Sequence, residues 1–157
     1  MNETDKKLTR AIHEYAAQND YSSIWDGFLE AALFTGDPCV SSGEYLVDEN
    51  DIESMEPEST FETYLKVVRF CRLAERLTDV NLIEKAIESG WDNEGFGRDL
   101  FYTACGHGVG FWDRDREYGD ELTEFVREHF GHLEGLYCEQ GDETDFDETK
   151  PRIFYWS

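Results

Sequence analysis

Cys105-Gly-His107 and, further on, His129-x-x-His132 supply four side chains of the types that ligate zinc or activate a thiol. Structural zinc takes Cys and His in two closely spaced pairs, a requirement these four meet in number, though nothing in their spacing forces it. A Cys–His nucleophile also needs a third group to orient the imidazole, and the sequence places none. Reduced thiols that mostly pack as small apolar residues are the plainer account of Cys39, Cys71, Cys105 and Cys138, so no metal, cofactor or catalytic residue is expected.

Gly106-His-Gly-Val-Gly110 invites comparison with a phosphate cradle, because clustered glycines let backbone N–H groups approach an anion. It lacks the lysine of a P-loop and does not open a helix, and a tight turn explains the glycines better. Gly141 to Glu148 has the acidity of a calcium loop but not its alternation, since Asp142, Asp145 and Asp147 are out of phase and Phe146 interrupts them.

The carboxylates remain. One block, with no Lys or Arg among them, holds Glu44, Asp48, Glu49, Asp51, Glu53, Glu56, Glu58 and Glu62. A second runs through Asp113, Asp115, Glu117, Asp120, Glu121, Glu124, Glu128 and Glu134 to Glu139, Asp142, Glu143, Asp145, Asp147 and Glu148. Duplex DNA carries about one charge per 1.7 Å of axis, and a folded surface with carboxylates at comparable spacing competes for a groove built to hold phosphates. The competing account is an acidic surface that serves solubility alone.

The whole composition leans the same way. In 157 residues, 36 Asp and Glu face 14 Lys and Arg, a net charge of −22, far beyond the magnitude of roughly 2 to 8 that solubility requires. Such a chain repels nucleic acid and anionic membrane and attracts basic surfaces. Aromatic residues at 15% and apolar residues at 39% supply a core and argue against a halophilic composition or wholesale disorder. No apolar run spans a bilayer and the first residues lack the apolar segment of a signal peptide, so a cytoplasmic protein is expected.

One domain covering residues 1–157 is expected, with a helical part over about 4–90 and a β-hairpin, helix and strand part over about 97–157. Leu8, Ala11, Ile12, Tyr15 and Ala16 recur at helical spacing over 4–18. Ser23 and Asp26 resemble a capping box opening a helix to Phe34 that is apolar over most of its circumference. Further helices are expected from Ser59 to Leu77, from a Thr78 cap to Gly90, and from Asp120 to Phe130. Leu100–Ala104 and Val109–Trp112 read as the arms of a β-hairpin, and Leu133–Cys138 and Ile153–Trp156 as two more strands. The fold class is then α+β, a helical N-terminal half packed on a small, mainly antiparallel sheet.

Gly97-Arg-Asp-Leu-Phe-Tyr-Thr-Ala-Cys-Gly-His-Gly-Val-Gly-Phe-Trp-Asp-Arg114 resembles a segment, roughly GxDFWLTRNGHGxGFWDR, that recurs in a family of small bacteriophage- and prophage-encoded accessory proteins. Looser matches lie at Phe28–Phe34, Asp48–Glu56, Gly119–Thr123 and Leu136–Asp142, while Ala104-Cys105 departs from the usual Arg-Asn. The resemblance implies a phage or mobile-element origin and carries no reaction with it.

Together these point to a non-enzymatic inhibitor of a host DNA-targeting defence system, either CRISPR surveillance or restriction, that acts as an acidic DNA mimic. Its partner would be a basic nucleic-acid-binding host protein or complex, met by Glu44, Asp48, Glu49, Asp51, Glu53, Glu56 and Glu58 and by Asp113, Asp115, Glu117, Asp120, Glu121, Glu124, Asp142, Glu143, Asp145 and Asp147, with Trp112 as an apolar anchor. The alternative is an accessory protein that binds a host enzyme or regulator through an aromatic hairpin surface, its charge incidental. The sequence leaves open whether the chain forms a homodimer.

Overall fold

The computed structural model describes residues 1–36, 53–138 and 153–157. Six α-helices occupy most of them: α1 (Glu3–Ala17), α2 (Ser22–Gly36), α3 (Pro57–Arg76), α4 (Leu82–Ser89), α5 (Asn93–Cys105) and α6 (Gly119–His129). A short 3-10 turn at Phe111–Asp113 joins α5 to α6. The described β structure is one antiparallel pair of three-residue strands, β1 (Leu136–Cys138) and β2 (Phe154–Trp156), in the register Leu136 to Trp156 and Cys138 to Phe154.

The expected α+β class is therefore wrong. The described residues are mainly helical, and the supposed hairpin at Leu100–Trp112 is the second half of α5 followed by a loop and the 3-10 turn. Phe96, Leu100, Phe101 and Ala104 share one buried face at helical spacing. Asp92 caps the start of α5 by accepting from the Gly95 N–H at 2.6 Å. Gly106, at φ 72°, ends it in the left-handed conformation, with the Gly106 and His107 N–H groups bonded back to Thr103 and Tyr102 carbonyls. Glycine does serve a turn here, but the turn is a helix terminus.

Two further glycines explain why α5 is a helix at all. A Cβ on Gly97 would collide with the Ile24 carbonyl oxygen, and a Cβ on Gly27 with that of Glu94. Helices α2 and α5 thus cross backbone against backbone, each through a glycine of its own. Intrinsic propensity disfavours glycine in a helix by about 1 kcal/mol, and the close crossing recovers this through packing.

Three of the other helices begin on side-chain caps, whereas α6 begins at Tyr118 without a capping hydrogen bond. Asn2 opens α1, Glu56 with Pro57 opens α3, and Asn81, rather than the expected Thr78, opens α4. Thr78 instead donates to the Val80 carbonyl.

A single cluster of buried side chains draws on all six helices, the 3-10 turn and both strands. Aromatic rings run through it in sequence: Trp156 and Trp25 lie on Phe28, Phe28 meets Phe101 and Phe130, Phe70 joins Phe130 to Phe96, and Phe111 closes the series on Trp91. Centroid separations of 5.1 to 6.4 Å are those of ordinary aromatic contacts. Strand β2 inserts Phe154 and Trp156 into this core between β1 and residues 54–56, where the Glu56 N–H donates to the Phe154 carbonyl and the Phe154 N–H to that of Ser54.

Candidate functional site

The 97–114 segment folds as a clasp. Asp99 lies on the buried face of α5, 2% exposed, and its carboxylate accepts three hydrogen bonds: Trp91 Nε1 at 2.7 Å, Arg114 Nε at 3.0 Å and Arg114 Nη2 at 2.7 Å. The bidentate pair raises the Arg114 guanidinium further above its already high range, the Asp99 hydrogen bond being the main cause. Between these ends, Thr103 Oγ1 accepts from the Phe111 N–H and Asp113 Oδ1 from the Gly110 N–H. A Cβ on Gly110 would come within 2.5 Å of Thr103 Oγ1, so glycine is required for this approach. The loop therefore turns Phe111 into the core and leaves Trp112 49% exposed.

His107 is exposed, its ring against Phe101 and Tyr102, and His132 is also exposed. His129 packs on Phe125 beside Glu128. Burial pushes the Cys105 thiol up to about 12, which keeps it protonated and poorly nucleophilic at neutral pH. Among the described residues, no three His, Cys, Asp or Glu side chains come together in a way that could hold a metal ion.

The carboxylates divide sharply. In the first block Glu53 is paired with Arg10 at 3.1 Å. Glu56 accepts from the Glu58 and Ser59 N–H groups as the cap of α3. Burial alone would raise the Glu56 carboxyl, but the hydrogen bonds from Ser59 and Glu58 outweigh it and hold the group below the usual carboxylate range. Glu58 is exposed, while Glu44, Asp48, Glu49 and Asp51 lie outside the described residues, as do Asp142, Glu143, Asp145 and Asp147 of the second block.

The described part of that second block is different. Asp113 is bound into the loop, but Asp115, Glu117, Asp120, Glu121, Glu124 and Glu128 are exposed. Helix α6 buries Leu122, Phe125 and Val126, which turns Asp120, Glu121, Glu124 and Glu128 outward. At about 1.5 Å of rise per residue these four span about 12 Å. Their mean spacing of about 4 Å along the axis approaches the roughly 3.4 Å per charge of one DNA strand. Arg127 pairs with Glu124 at 2.6 Å, yet both side chains are over 60% exposed, and such a surface pair holds weakly.

No family model, curated protein or solved structure matches the chain. Among the described residues no helix is long and apolar enough to cross a membrane.

Proposed function

We propose that the protein is a non-enzymatic inhibitor of phage type that occupies the basic nucleic-acid groove of a host DNA-targeting defence protein, with the outer face of α6 as its centre. The observation that carries this reading is the row of outward carboxylates Asp120, Glu121, Glu124 and Glu128, extended toward the 3-10 turn by Glu117 and Asp115. Lys and Arg side chains arranged for phosphates would find acceptors of the same charge at similar spacing. The net charge of −22 would steer the encounter.

The test is recovery of partners on immobilised protein from host lysate, eluted by a salt gradient and challenged with duplex DNA. The expected result is a DNA-binding defence complex displaced by both and not retained by the triple variant Glu121→Lys, Glu124→Lys, Glu128→Lys. A partner held equally by that variant and indifferent to DNA would refute the proposal.

A second reading rests on Trp112 and Val109, both outward in the loop before α6. Here the loop itself, rather than the expected hairpin, docks on a host enzyme or regulator. Binding would then resist salt and be lost in Trp112→Ala.

A further inference from the structure

The turn between α4 and α5, the first half of α5 and the Arg114–Arg116 segment border a cleft of about 300 Å3, at the lower end of the size range of small-molecule sites. In a chain this acidic the lining is unexpected, because three of its side chains are arginines: Arg98, Arg114 and Arg116. Both lining carboxylates accept hydrogen bonds, and the charge of Asp99 is paired with Arg114 whereas that of Asp92 has no ion pair among the described residues. Asp92 caps Gly95, and Asp99 is filled by Trp91 and Arg114.

The guanidinium groups are not equally engaged. Arg114 gives Nε and Nη2 to Asp99, which leaves Nη1. Arg98 turns Nη1 to Glu30 at 3.3 Å, while its Nη2 lies 3.7 Å from where a Gly95 Cβ would stand, on the cleft side. Arg116 has no ion pair among the described residues, although the chain carries 36 carboxylates. Its guanidinium is held 4.8 Å from the Trp91 ring centroid, and its Nε lies 3.3 Å from the position of a Gly90 Cβ. Glycine at position 90, φ 121°, therefore both makes the turn and gives the arginine room to lie on the indole.

We propose that this cleft binds a phosphate dianion, either inorganic phosphate or the phosphoryl group of a mononucleotide. Arg116 supplies the main charge, held in place by Trp91, and Arg98 and Arg114 add N–H donors from the α5 side and from the clasp. Guanidinium forks match phosphate oxygens in plane and spacing, and the ligand would be met by donors already positioned. The site does not involve the α6 face and does not depend on what that face binds.

The experiment is a titration of the 15N-labelled full chain with inorganic phosphate and, separately, adenosine monophosphate, at constant ionic strength so that screening of the −22 charge does not change. Saturable shifts are expected at the Trp91 indole, the Gly95 amide and Arg116 Nε, and the ligand that saturates at lower concentration identifies the source. Arg116→Gln and Arg98→Gln should each weaken binding about tenfold, the loss of one charge-assisted hydrogen bond. Arg69→Gln, on the exposed side of α3, should leave it unchanged. Absence of saturation with both ligands, or equal affinity in the two cleft variants with spectra otherwise intact, would overturn the proposal.

Discussion

Asp99 and Glu121 carry the same chemical group under opposite conditions. Asp99 is buried and accepts three hydrogen bonds, so the fold depends on its keeping those partners. Glu121 is on the open face of α6 with no ion pair among the described residues, and the fold has little use for it beyond the favourable position of an acid in a helix's first turn. The difference separates the acidity that builds this molecule from the acidity that is available to something else. Glu56 and Asp113 belong with Asp99, and Glu53 holds only an exposed pair with Arg10; Asp115, Glu117, Asp120 and Glu128 belong with Glu121.

The strongest way to break that division is at the clasp. Arg114→Ala leaves the Asp99 carboxylate buried with only the Trp91 N–H, and a loss of about 3 kcal/mol is expected in urea denaturation. A loss near zero would place Asp99 among the dispensable acids.

A smaller effect is expected at Glu56. Its carboxyl is held below the ordinary range in the folded chain, so the stabilisation is present above the unfolded carboxylate pKa and disappears as pH falls through the folded one. Glu56→Ala should cost about 1 kcal/mol at neutral pH, as for loss of a helix N-cap. The gap to the unmodified chain should begin to narrow in denaturation curves as pH falls through the ordinary Glu range, at about pH 4, and close only at lower pH as the folded carboxyl protonates. A gap independent of pH would mean that packing, rather than the charged cap, is responsible.

The smallest change in stability is expected on α6. Glu121→Lys with Glu128→Lys should stay within about 0.5 kcal/mol of the starting stability, because neither side chain contacts the core. Thermal denaturation at matched ionic strength checks this, and a marked stabilisation would instead identify these acids as a cost that the free protein carries.

Much of this was legible from side-chain periodicity. Helices α1, α2, α3 and α6 lie within a few residues of where their apolar spacing placed them, and β1 and β2 fall inside the expected strands. Helix α5 was misread because Gly95, Gly97 and the Phe101-Tyr-Thr103 run all weigh against helix locally. The deciding term is the crossing of Gly97 on α2, a contact with residues some seventy positions earlier that no local window contains. For the same reason nothing local in the sequence marks Asp99. Its role rests on Trp91 and Arg114, which lie on either side of a helix whose last turns, Leu100–Ala104, have the local pattern of a strand. The outward α6 row was legible, since the Leu122, Phe125 and Val126 spacing fixes which way its acids turn.

The insertion of β2 also bears on how the chain is made. Trp156 lies against Trp25 and Phe28, and its backbone N–H donates to Ser59 Oγ across 97 positions. The aromatic interior therefore cannot close until that strand has left the ribosome, and loop closure over such a distance slows the final step. Until then the sides of Trp25 and Phe28 that Trp156 covers stay open to other chains, a period in which strong mutual repulsion between nascent copies would guard against aggregation.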